Sequence, residues 1–163
     1  MNGRRLKLGA ILAGLVLSGL TLLAWTQQWF SIELIPDGSV AVGGDVAAPA
    51  LAALALSGLA LVAALAIAGP VFRVILGLLE AAIGTLVVVS AILAIVDPVA
   101  ASASAITAVT GVSGTASVIA LVSTVAPTAW PFVALLAGAA LVALGITFGR
   151  AGGSWRLSFR EFP

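Results

Sequence analysis

The sequence predicts an all-α membrane protein: a four-transmembrane-helix bundle with both termini cytoplasmic, a short outer β-hairpin and a long outer or interfacial loop. Three observations predict it. Hydrophobic residues make up 62% of the 163 residues and charged residues 8%, with a mean hydropathy of +1.27, and so few charges cannot cover a water-soluble surface. Four apolar runs approach the roughly 20 residues that a ~30 Å hydrocarbon core requires at about 1.5 Å rise per residue. All seven basic side chains fall on one side of the four-span path. Arg4, Arg5 and Lys7 precede the first run, Arg73 sits between the second and third, and Arg150, Arg156 and Arg160 follow the fourth. The excess of Lys and Arg in cytoplasmic segments puts both termini and the 70–73 turn in the cytoplasm. Glu33, Asp37, Asp45 and Asp97 fall in the outward connections, Glu80 lies within a span and Glu161 in the tail.

The first span runs from about Leu8 to Trp25. It has the basic start of a secretory signal, but it is longer than a usual signal core and ends in Ala24-Trp25-Thr26-Gln27-Gln28, without a small-x-small cleavage site; it is expected to stay as an uncleaved helix. The connection from Thr26 to Pro49 alternates Phe30, Ile32 and Leu34 with Ser31, Glu33 and Ile35, turns at Pro36-Asp37-Gly38 and alternates again at Val40 and Val42. That pattern predicts a short hairpin over the outer face. The second span, about Ala50 to Gly69, is expected to stop at Gly69-Pro70, leaving only Val71, Phe72 and Arg73 before the third span, about Val74 to Val96. Such a short turn makes these two spans an antiparallel pair packed side by side, the tertiary contact the sequence supports best.

The segment from Asp97 to Ala129 contains a 21-residue uncharged stretch, Ile106 to Ala126, long enough to cross a bilayer. Its many Ser and Thr residues, with Gly111 and Gly114, make it weakly apolar, and counting it as a span would place Arg150, Arg156 and Arg160 outside. It is read as interfacial or partly re-entrant, with two short helices broken around Gly111 to Gly114. The last span runs from about Trp130 to Gly149, and the whole chain, residues 1–163, reads as a single membrane domain.

Composition also restricts the chemistry. Without Cys or His there is no thiolate, no imidazole proton shuttle and neither of the two commonest ligands for a soft metal. The acids are scattered over different depths, so no catalytic pair assembles at one site, and no catalytic, cofactor-binding or metal-binding residue is assigned. A net charge of +1 gives no case for a nucleic-acid partner; the basic clusters read as orientation signals and contacts with anionic lipid.

Glu80, as an ionisable residue inside the hydrocarbon, is the candidate intramembrane functional or assembly residue. Arg73 lies seven residues earlier on roughly the same helix face and is its candidate neighbour, with Thr85 and Ser57 as candidate capping hydroxyls. Trp25, Trp29, Trp130 and Trp155 are candidate interfacial anchors, as amphipathic rings settle at headgroup depth. Small residues four apart mark candidate helix-contact faces: Gly14 and Ser18, then Ala60, Ala64 and Ala68, then Gly77 and Ala81.

Several landmarks together resemble the tryptophan-operon-associated, or tryptophan biosynthesis-associated, membrane proteins of actinobacteria. They are the basic Arg4-Arg5, the span ending in Leu22-Leu23-Ala24-Trp25-Thr26-Gln27-Gln28-Trp29, Gly43-Gly44 leading to Pro49-Ala50-Leu51, Pro127-Thr128-Ala129-Trp130-Pro131, and the tail Ser154-Trp155-Arg156-Leu157-Ser158-Phe159-Arg160-Glu161-Phe162. The resemblance covers nearly the whole chain and brings no catalytic or cofactor-binding residue with it.

The expected function is therefore that of a non-enzymatic accessory or scaffold subunit, with the lipid bilayer and either other membrane subunits or further copies of itself as partners. The alternative is a small transporter or exporter, for an aromatic metabolite if the family name reflects biology, with Glu80 facing a polar cavity.

Overall fold

The computed structural model describes residues 3–153. Ten elements follow in order: α1 (Gly3–Thr26), β1 (Gln28–Leu34), β2 (Ser39–Gly43), α2 (Gly44–Ala47), α3 (Ala50–Ile67), α4 (Pro70–Val96), α5 (Pro98–Thr110), α6 (Thr115–Leu121), β3 (Val122–Pro127) and α7 (Trp130–Gly153). Four helices carry stretches long and apolar enough to cross a bilayer, at Leu8–Thr26, Ala50–Ile67, Val71–Val96 and Trp130–Arg150.

The connection between α3 and α4 departs from expectation. α3 ends at Ile67, Ala68 and Gly69 are extended, and Pro70 opens α4 instead of stopping α3. Proline suits that place because its ring presets the helical φ and the first turn has no use for its missing N–H. Arg73 consequently sits in the first turn of α4, where its N–H bonds to the Gly69 carbonyl at 3.1 Å.

Each long helix packs against two others, α1 on α3 and α7, and α4 on α3 and α7. The expected α3–α4 pair is the least extensive of these four contacts, and α4–α7 is by far the largest. Glycine explains the difference. A Cβ at Gly145 would stand 2.5 Å from both the Gly77 carbonyl oxygen and the Ala81 nitrogen, and one at Gly84 would stand 2.7 Å from the Val142 nitrogen. The two backbones therefore touch, which is how helices associate where hydrophobicity offers no net drive.

The buried positions of α4 are Gly77, Glu80, Gly84, Val87, Ala91 and Ala94, and those of α3 are Leu51, Ala55, Gly58, Val62 and Leu65. Steps of three and four repeat every seven residues, the spacing of a seam between helices crossing at a shallow left-handed angle. Gly14 and Ser18 lie on the matching seam of α1, where a Gly14 Cβ would meet Val62 and Leu144. Ala60, by contrast, is exposed and Ala64 and Ala68 are only half-buried, because the seam of α3 runs through Gly58 and Val62 on a different face.

One end of the four helices carries everything else. Ala24 of α1, Leu51 of α3, Ala94 of α4 and Ala134 of α7 share a core with Trp29, Phe30, Ile32 and Val42 of the strands and with Ile106 and Val118 of α5 and α6. The strands form an antiparallel sheet of order β2-β1-β3, with Ile32 opposite Val40 on one side and Val125 on the other. β3 lies in the segment expected to be loop and interfacial helix. α5 and α6 are indeed broken at residues 111–114, with a bend of 78°, and Gly111 and Gly114 hold positive φ angles of 70° and 98° there. Because α6 delivers β3 back to β1, the bent pair starts and finishes at the same end of the helices.

Candidate functional site

Glu80 occupies a seam position of α4, between Gly77 and Gly84, so the heptad pattern that packs the helix also carries the carboxyl into the interior. The side chain is fully buried and neither carboxyl oxygen has a hydrogen-bond partner. Arg73 precedes it by two turns on the same face; its Nε is buried and also lacks a hydrogen bond, and no ion pair joins the two among the described residues. The expected capping hydroxyls are elsewhere. Thr85 donates to the Ala81 carbonyl at 2.8 Å and Ser57 to the Ala53 carbonyl at 2.7 Å, and both side chains are exposed. Each serves its own helix backbone, a bond always within reach four residues back.

The residues that do surround Glu80 come from α1 and α3. A Cβ at Gly58 would lie 3.9 Å from Glu80 Oε1 and 2.6 Å from Ser18 Oγ, and Ser18 is fully buried. One turn along α1, Thr21 is equally buried but satisfied, donating to the Leu17 carbonyl at 3.0 Å. The signal for this cluster was present in the chain as Gly14, Ser18 and Thr21, polar or small residues in steps of four and three. What could not be read was that Ser18, 62 positions before Glu80, comes near it at Gly58.

Two of the other described acids, Glu33 and Asp97, bond within the sheet-bearing end. Glu33 accepts a hydrogen bond from Thr124 Oγ1 at 2.9 Å, tying β1 to β3. Asp97 accepts from the Ala100 N–H at 2.9 Å and caps α5. Among the described residues no group of three or more Asp and Glu side chains gathers to hold a metal ion. A groove of about 420 Å³ opens between α3, α4 and α5; its walls are mostly alanine with Leu93, and Ser90 and Asp97 supply its polar side chains.

The tryptophans divide. Trp25 and Trp130 are half-buried at the sheet-bearing end, the first with its Nε1 buried and without a partner. Trp29, expected as an interfacial anchor, is fully buried: its Nε1 donates to the Ala24 carbonyl at 2.8 Å and its ring stands edge-on to Phe30, centroids 6.4 Å apart. It staples β1 onto the end of α1, because the strand folds straight back over the helix terminus. Trp155, with Arg156, Arg160 and Glu161, lies outside the described residues.

No curated protein and no solved structure matches the chain. A family model does, over residues 7–160, and with four helices long and apolar enough to span a membrane and a small sheet at one end, the chain belongs to the tryptophan-associated transmembrane protein family.

Proposed function

We propose that the protein is a non-enzymatic accessory or scaffold subunit of a larger assembly in the bacterial plasma membrane. It is a four-helix bundle with both termini cytoplasmic and with the sheet, α5 and α6 on the outer side. The orientation rests on charge: Arg73 and Arg150 lie at the end opposite the sheet, and Arg4, Arg5 and Lys7 occupy the start of α1, which runs toward the sheet.

The observation that carries the functional reading is the burial of Glu80. It is the acid within the long apolar helices, and its side chain is fully buried within its own chain, with Gly58 of α3 close to the carboxyl and Ser18 of α1 against Gly58. A transporter of an aromatic metabolite needs that carboxyl to line a polar cavity, and close packing of this kind supports the scaffold reading instead. The outer end offers a built surface, three strands and two short helices, on which another subunit can rest.

The test is a pull-down of tagged protein from its native membrane in a gentle detergent, with mass spectrometry and native sizing, repeated for Glu80→Gln. Stoichiometric recovery of a larger complex is expected. Recovery of a lone monomer or homo-oligomer would overturn the accessory reading and make metabolite flux the next measurement.

A further inference from the structure

We propose that Ser18 is the hydrogen-bonding partner of Glu80, and that the pair latches α1 to α4 across the gap left by Gly58. Ser18 Oγ, Glu80 Oε1 and Glu80 Oε2 are buried polar atoms that have no hydrogen-bond partner among the described residues, not yet even each other. The Ser18 and Glu80 oxygens converge on one point, 2.6 and 3.9 Å from where a Gly58 Cβ would stand. Glycine keeps that point open, since a Cβ at position 58 would crowd the Ser18 hydroxyl at 2.6 Å.

Ser18 also differs from three other hydroxyls of the long helices. Thr21, Ser57 and Thr85 each donate to a carbonyl four residues back on their own helix. Ser18 does not, so its donor is free to serve a neighbouring helix. In hydrocarbon no solvent satisfies a hydroxyl or a carboxyl, and leaving both unmet costs far more than the small side-chain rotation that brings them together. The bond forms directly or through one shared water. Because α1 and α4 are diagonal to each other, with α3 and α7 between them and little direct contact, the latch crosses the interior and joins two helices otherwise linked mainly through their shared neighbours. Glu80 is then an intrachain contact and not a surface for another subunit. This goes beyond the scaffold reading, and it stands or falls separately from the pull-down.

The test uses the purified full chain. Ser18→Ala is expected to lower the melting temperature by about 2–4 °C in the native background, and by less than about 1 °C where Glu80→Leu has already removed the partner. Equal losses in both backgrounds would overturn the latch. Should Glu80→Leu fail to fold, infrared spectroscopy decides: the Glu80 carboxyl band, identified by its disappearance in Glu80→Gln, shifts in Ser18→Ala if the hydroxyl bonds to it, and a band that stays in place refutes the proposal.

Discussion

Gly145→Ala is expected to destabilise the protein through the α4–α7 contact. The added methyl would stand 2.5 Å from the Gly77 carbonyl oxygen and from the Ala81 nitrogen and 2.9 Å from the Ala81 Cα. These are all backbone atoms, so no rotamer change relieves the overlap and the two helices must separate by roughly 1 Å to restore ordinary contact at about 3.5 Å. Separation strips dispersion contacts along the whole shared seam, including Gly84 against Val142, and overpacking of this kind costs about 1–3 kcal/mol. For a chain of this size that corresponds to a fall in melting temperature of several degrees, on the scale of about 2–4 °C per kcal/mol. Gly149 supplies the control on the same helix, one turn away, since a Cβ there meets nothing within 4 Å. Gly149→Ala is therefore expected to be neutral or slightly stabilising, as alanine is the better helix former. The assay is heat-induced loss of the monodisperse peak in detergent for the two variants side by side. If Gly145→Ala melts with Gly149→Ala and the parent chain, the backbone-to-backbone packing of α4 and α7 is wrong.

Three further outcomes follow from other parts of the molecule. Trp29→Phe keeps an aromatic ring but removes the pyrrole half of the indole, and with it the Nε1 donor to the Ala24 carbonyl, from a fully buried site, so a loss of at least about 1–2 kcal/mol is expected from the bond and the void together, read as faster proteolysis of the 27–49 segment in proteoliposomes. Asp97→Ala removes the cap of α5 and is expected to cost about 1 kcal/mol; unchanged amide exchange at Val99 and Ala100 would count against the cap. The chain has no cysteine of its own, so single thiols report topology cleanly. Asp37→Cys is expected to react with an impermeant maleimide added to intact cells, and Gly69→Cys only after permeabilisation, and the reverse pattern would invert the proposed orientation.

The spans, the charge asymmetry and the helix break at Gly111 to Gly114 were all legible in the chain. Each depends on local composition alone: a bilayer selects runs of apolar residues by length, and glycines at positive φ interrupt a helix wherever they stand. The inward faces of the helices were not legible. In a soluble protein the apolar stripe marks the core, but here Leu78, Leu86 and Leu93 are exposed on α4 while Gly77, Glu80 and Gly84 are buried. Lipid solvates leucine as well as protein does, so hydrophobicity says nothing about which side is inside. Small residues hinted at it for Gly14, Ser18, Gly77 and Ala81, and misled for Ala60, Ala64 and Ala68, because alanine tolerates either environment. The pairing of β3 with β1 and the approach of Ser18 and Glu80 to Gly58 bring together residues about 90 and 60 positions apart. No local pattern encodes such meetings. They follow from the order in which the four helices pack and from the glycines that let them come close, and only the tertiary structure decided them.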